Sequence, residues 1–351
     1  MWLENVDDRS LADTDGGGCM MAGNSRDAVK VSLRAGSDGW IETPGLAFKV
    51  LCFGESHSKD APIALFVRAD ESVGDRIAGR RTHETTVFTT VIEGSLELDG
   101  RWCKPGDFEL AAAGAPHGDV VIGPYGATYM MLFGRRSGLI PSYLDPGDQR
   151  VFDATLRGPV ERVASGQDES AVALLHLREN FTPRRGIKVT NKQWVDAGKS
   201  PPPPEHPGLF FSAVDDDSLN WGPPILNART SLVVVGAPDD PHAPVVGCIN
   251  VGPGPGDRLR SRHIHGADAV NLVIRGAVYM DGVWLRPGEA KIAPGNVEYG
   301  DGLAGPDGMD FFEIWSDLAG IMPTYSDPDD HAYFEQFRAK GHGEPQHLLP
   351  A

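Results

Sequence analysis

Two histidines one residue apart, His263 and His265, head an extended stretch spanning residues 262–289. Side-chain direction in a strand repeats every two residues, so both imidazoles project to one side, an arrangement suited to a divalent metal. A second group comes earlier in the chain: Arg81, His83 and His117. If the fold brings His117 beside Arg81 and His83, a guanidinium fit to grip a carboxylate or enolate would meet two imidazoles able to move protons near neutral pH, with no metal needed. The plainer alternative is that Arg81 pairs with an acidic neighbour such as Glu84 while hydrogen bonds satisfy the histidines. Thr85, Thr89 and Asn271 share the inward parity of these histidines, and polar positions on that face favour a small-molecule pocket over a filled structural barrel.

The strands that must carry these groups are written twice. After His265 come Ala267, Ala269, Asn271 and Val273 on one parity, then Gly276, a turn at Asp281-Gly282 and a corner at Pro287-Gly288, the text of a meander of short antiparallel strands. A shift of 182 positions carries His83, Gly94, Gly100, Trp102, Pro105 and Gly106 onto His265, Gly276, Gly282, Trp284, Pro287 and Gly288. The same shift, without a gap, carries Gly54 onto Gly236, Ala61-Pro62 onto Ala243-Pro244, Tyr143 onto Tyr325 and Phe152 onto Phe334. An offset kept over roughly a hundred residues is far longer than a solenoid unit and means two copies of one whole domain.

The bulk numbers agree. A chain of 351 residues, 40% hydrophobic and 23% charged, can bury two ordinary cores. Its 43 Gly and 28 Pro fall between short Val/Ile/Leu/Phe runs, which points to an all-β protein. The formal net charge of -17, with no basic cluster able to track phosphates, excludes nucleic acid as a partner. No apolar run approaches the ~20 residues of a membrane helix, so no membrane partner is expected. Cys19, Cys52, Cys103 and Cys248 show no CxxC spacing, and no signal segment precedes residue 30. The expected location is therefore the cytoplasm, with Cys52, Cys103 and Cys248 acting as small buried hydrophobes.

These signals divide the chain into an arm over 1–38, flexible or donating an edge strand, a first domain over 39–156, an insert and linker over 157–208, a second domain over 209–337 and a tail over 338–351. The run Pro201 to Pro204 is stiff and extended and cannot continue a sheet interior, which makes it a spacer.

A strand bearing HxH, a glycine eleven residues past the second histidine, a PG corner and a last site residue eleven past its glycine resembles the cupin superfamily; the doubled form is similar to a bicupin. More loosely, the opening of the first domain is similar to the subgroup holding anti-sigma-factor cupins and the dioxygenases of acetylacetone and dihydroxyacetophenone. The resemblance implies an all-β fold of two tandem cupin (double-stranded β-helix, jelly-roll) barrels. It also implies that two histidines, often a glutamate, and a third histidine point inward at one metal. Both copies depart from that set. The first has Arg81 for the first histidine, keeps His83 and His117, and has Val87 or Phe88 at the glutamate slot. The second keeps His263 and His265, has Ala269 or Val270 at the glutamate slot, and carries Tyr299 in place of the last histidine.

The reading that follows is a bicupin enzyme acting on a small oxygenated molecule, with oxygenase-type cleavage or oxidation at a metal in the second barrel. The metal would be held by His263, His265 and a third group: Tyr299 first, otherwise Glu313 on the last strand or, against its strand parity, Glu298. Iron(II) is the first expectation, with zinc, nickel, manganese or no metal as alternatives. Two rival readings are metal-free isomerisation, cyclisation or elimination by Arg81, His83 and His117 of the first barrel, and a non-enzymatic ligand-binding or sensor protein; Tyr299 counts among the catalytic candidates as well as the metal ligands. The resemblance also implies a homodimer through edge strands.

Overall fold

The computed structural model describes residues 20–21, 29–34, 37, 39–43, 46–54, 58–70, 76–155, 157–166, 208–224, 227–237, 239–253, 261–340 and 344–349. Cys19, most of the N-terminal arm, the insert from 167 onward and the Pro201 to Pro204 spacer lie outside them. Among the described residues no helix is long and apolar enough to cross a membrane.

The chain is mostly β, two tandem barrels built from the two repeats. In the first, a large sheet orders Leu46–Cys52, Ile63–Ala69, Val120–Phe133, Val87–Leu98 and Asp107–Ala111 side by side. In the second the order is Ala228–Val234, Val245–Val251, Leu303–Trp315, Ala269–Met280 and Glu289–Ala293, the same strands 182 positions on. A small sheet faces each large one: Arg81–Thr82 with Ser142–Tyr143 in the first barrel, and His263–Ile264 between Glu298–Tyr299 and Thr324–Tyr325 in the second. The histidine strands thus belong to the small sheets, opposite the large ones.

Gly94 and Gly276 mark where the longest strand pair of each barrel bends. Both have positive φ, and a Cβ on Gly276 would lie 1.9 Å from the Gly308 carbonyl oxygen. Register shifts on either side show the bulge that this close approach permits.

The large sheets are apolar on both faces. Along Val87–Leu98, Val87 and Val91 point into the first barrel, while Phe88 and Ile92 point to a separate core shared with Val270, Leu272, Phe312 and Ile314 of the second repeat. That shared core joins the barrels face to face, with Phe88 stacked on Phe108 at 5.0 Å and edge-on to Phe312 at 5.6 Å. Burial on both faces explains why these strands read as near-continuous hydrophobic runs. Cys52, Cys103 and Cys248 are buried thiols, and burial pushes Cys52 up to about 12.

Hydrogen bonding crosses the sequence-based boundaries. Val29–Ser32, in the arm, pairs antiparallel with Glu289–Ala293 of the second barrel, so the edge strand goes to this chain's own second repeat. Leu209–Ala213, at the start of the second domain by sequence, pairs with Asp107–Ala111 of the first. The exchange is reciprocal, because 29–32 shifted by 182 overlaps Leu209–Ala213. The tail is also tied down: Gln346 bridges Val233, and Leu348 and Leu349 pack against the inter-barrel core.

Candidate functional site

In the second barrel His263 and His265 come from the small sheet and Glu313 from the large sheet facing it. One potential ligand atom from each lies within 4.8 Å of the others. Both rings are set by backbone carbonyls: His263 Nδ1 donates to Ser261 O at 3.0 Å and His265 Nδ1 to Ile321 O at 2.6 Å. A carbonyl only accepts, so Nδ1 carries the proton in each ring and Nε2 carries the lone pair that a metal needs. The rings sit 5.1 Å apart at 84°. Gly300 makes room for the first of them, since a Cβ there would lie 2.9 Å from His263 Cε1.

Tyr299 stands where the resemblance put the last histidine, paired across the strand with His263. Its hydroxyl donates to Glu313 Oε1 at 2.7 Å. Burial and the Glu313 carboxylate push this phenol well above its ordinary 10, so it remains a protonated donor. Glu313 thus converges with the histidines and Tyr299 donates to it, which puts Glu313 beside Tyr299 as a candidate third ligand. Glu298 points away, as its parity requires, and is exposed and paired with Arg262 at 2.9 Å. Asn271 lies across the ladder from Glu313 on the inner face and lines the pocket.

The triad opens onto a cavity of about 150 Å³. Its walls include Leu232, Ile249, Val251, Met280 and Phe311. At the mouth lies the helix Pro328–Ala339, which contributes Phe334, Phe337 and Arg338. Asp327 caps the helix, and Asp330 accepts from Ser261 N at 2.8 Å, which ties the helix to the histidine strand.

The first barrel brings Arg81, His83 and His117 together, all buried, with the two imidazoles 5.3 Å apart. Arg81 Nε donates to His83 Nε2 at 3.1 Å, so the guanidinium uses the lone pair that would bind a metal, and Glu84 is exposed rather than paired with it. Arg81 also donates to Gly79 O and touches Met131 Sδ at 3.9 Å. Shifted by 182, Arg81, His83 and Met131 are His263, His265 and Glu313. A built-in cation and a thioether replace two of the three ligands. Burial and the neighbouring arginine push His117 down to about 3, and His83 is also lowered, so both rings are held neutral, with His117 Nδ1 3.6 Å from Glu109 Oε1. Thr85 and Thr89 point inward as expected, yet both are buried, with Thr85 packed against Gly138. Phe152, Val160 and Val163, from the helices Pro146–Thr155 and Arg157–Ala164, are buried in this barrel's core. Phe334, the counterpart of Phe152, is only half-buried.

Three participants were not singled out in the sequence. Glu109 faces Thr89 across the ladder, and its parity could have revealed it. Burial pushes Glu109 and Asp99, which are hydrogen-bonded to each other, each up to about 7. Trp315, whose ring lies 5.4 Å from His265 and seats over Gly247, reads as plain core in the sequence.

No family model and no curated protein matches the chain. Among solved structures, it is similar to an oxalate decarboxylase of Bacillus subtilis at 15% identity over 87% of this chain and 81% of that one, with a TM-score of 0.47. It is also similar to a Lactobacillus farciminis oxalate decarboxylase formate complex at 13% identity over 85% of this chain and 88% of that one, again with a TM-score of 0.47.

Proposed function

We propose that the chain is a mononuclear, divalent-metal-dependent enzyme that works in its second barrel on a small oxygenated organic molecule. The observation that carries this reading is the convergence of His263, His265 and Glu313 at the cavity. Two imidazoles and one carboxylate are the donor set of iron(II) oxygenases and leave coordination positions open, which favours iron(II), with manganese next. The bound metal would supply Lewis acidity and a meeting place for substrate and oxygen, and oxidative cleavage or oxidation is the reaction class.

The protein's own groups have separable tasks. The carbonyls of Ser261 and Ile321 hold the imidazole planes, and Tyr299 holds Glu313 while keeping its own proton on Oη. The cavity walls exclude water from the reacting oxygen. The first barrel supports the second through the shared core that holds Phe88, Phe108 and Phe312.

Metal analysis of protein purified without chelator and reconstituted with iron(II) or manganese(II) tests this. One equivalent per chain is expected in wild type and in His83→Ala, and its loss in His263→Ala and Glu313→Ala. Wild type that takes up neither ion, or His263→Ala that keeps it, overturns the reading. Activity lost on changing His83 but indifferent to His263 would instead support metal-free chemistry in the first barrel.

A further inference from the structure

The cavity walls say what kind of molecule the second barrel accepts. Leu232, Ile249, Val251, Met280, Phe311 and Met322 present hydrocarbon or thioether surface. Of the charged side chains lining the cavity, Glu313 and Asp301 are acidic, and Arg338 at the mouth is shared with Glu335 at 3.3 Å. The chain as a whole carries a formal charge of -17. A small dianion would therefore be repelled on approach and would find Arg338, already paired with Glu335, as the one Lys or Arg on the lining. A cavity of about 150 Å³ lined by such residues has room for a benzene-sized body.

We propose that the substrate is a compact, hydrocarbon-rich molecule, neutral in solution, with one oxygen function that reaches the His263, His265 and Glu313 centre, and that small dicarboxylates are rejected. This deepens the metal-enzyme reading and rests on it only for where the oxygen goes. The body of the molecule packs against the strands Ala228–Val234 and Val245–Val251, which contribute Leu232, Ile249 and Val251. It enters past the helix Pro328–Ala339, none of whose residues is buried, whereas the counterpart Phe152 in the first barrel is sealed into the core.

Calorimetry with acetophenone, a neutral aryl ketone, and with oxalate, on the manganese-loaded and metal-free protein, tests the proposal. Acetophenone is expected to bind both forms, and the loaded form at least 10-fold more tightly than oxalate does. Met322→Glu, which puts a carboxylate into the wall from a half-buried loop position, is expected to weaken acetophenone at least 10-fold, while Met322→Leu leaves it unchanged. Phe337→Glu, on the outer helix, gives the same test without touching the core. Oxalate binding as tight as acetophenone, no acetophenone binding by either form, or indifference to both glutamate substitutions overturns the proposal. If the protein takes up no manganese, the metal reading falls by itself. Acetophenone binding to the metal-free form, and its loss in Phe337→Glu, then still decides the substrate class.

Discussion

Replacing Tyr299 with Phe isolates one hydrogen bond at the centre. The ring stays packed between His263, at 4.7 Å, and His265, at 5.8 Å, and only the hydroxyl leaves. The lost bond is 2.7 Å long and runs from a neutral phenol to a carboxylate, with both residues buried. Hydrogen bonds to a charged partner contribute about 1.5–3 kcal/mol. If all of that is expressed as poorer orientation of Glu313, metal affinity falls about 10- to 100-fold, the range seen when an outer partner of a ligand is removed. The assay is titration of metal-free wild type and Tyr299→Phe with manganese(II) at pH 7.5, reading free ion by electron paramagnetic resonance, with circular dichroism as the check on folding. Affinity unchanged within about 3-fold would show that the hydroxyl does not prepare Glu313. A loss as complete as in Glu313→Ala would make Tyr299 itself a ligand, and the assignment of Glu313 as the third donor would fail.

Three further outcomes follow from the same geometry. Glu109 is raised to about 7 from an ordinary 4.5, so it contributes stability below about pH 4 that is lost as pH rises through 7. His117, lowered to about 3, works in the opposite sense, its contribution being present above 6.5 and lost as pH falls toward 3. Glu109→Gln should therefore remove roughly 2 kcal/mol of the fall in urea stability between pH 5 and 8, leaving the His117 contribution in place; parallel curves for the two proteins would contradict this. Gly276→Ala, with φ +70 and a Cβ 1.9 Å from the Gly308 carbonyl oxygen, should cost at least about 2 kcal/mol in chemical denaturation, and a loss under about 0.5 kcal/mol would show that the bulge is not rigid. Arg81→His with Met131→Glu rebuilds the second barrel's donor set in the first, and metal content should rise by one equivalent per chain; no rise in a folded double variant would mean that the two cups are not interchangeable.

The doubling, the all-β class and the inward side of His263 and His265 were legible from residue order alone, because they depend on period and offset, which are local properties of the chain. The cost of each departure from the family pattern was not legible. Tyr299 and Glu313 both stood among the possible third ligands, and only the pairing of Glu298–Tyr299 with the histidine strand, opposite Glu313 on the large sheet, turned one into the orienting donor of the other. Arg81 could be read as a substrate clamp until its guanidinium was found spent on His83 Nε2. The strand exchange was hidden for a similar reason. Val29–Ser32 and Leu209–Ala213 carry ordinary strand text, and which barrel an edge strand joins is decided by where the chain runs after folding.

Sequence by itself determined that there are two copies, which faces of their strands are apolar, and which side chains on those faces can bind or donate. Tertiary structure decided where a cavity lies among the described residues. Phe152, Val160 and Val163 are buried in the core of one copy, whereas Phe334 lines a cavity in the other. The physical reason is that a cavity is what remains after side chains from distant segments have packed, so it depends on all of them at once and on no stretch of the chain alone.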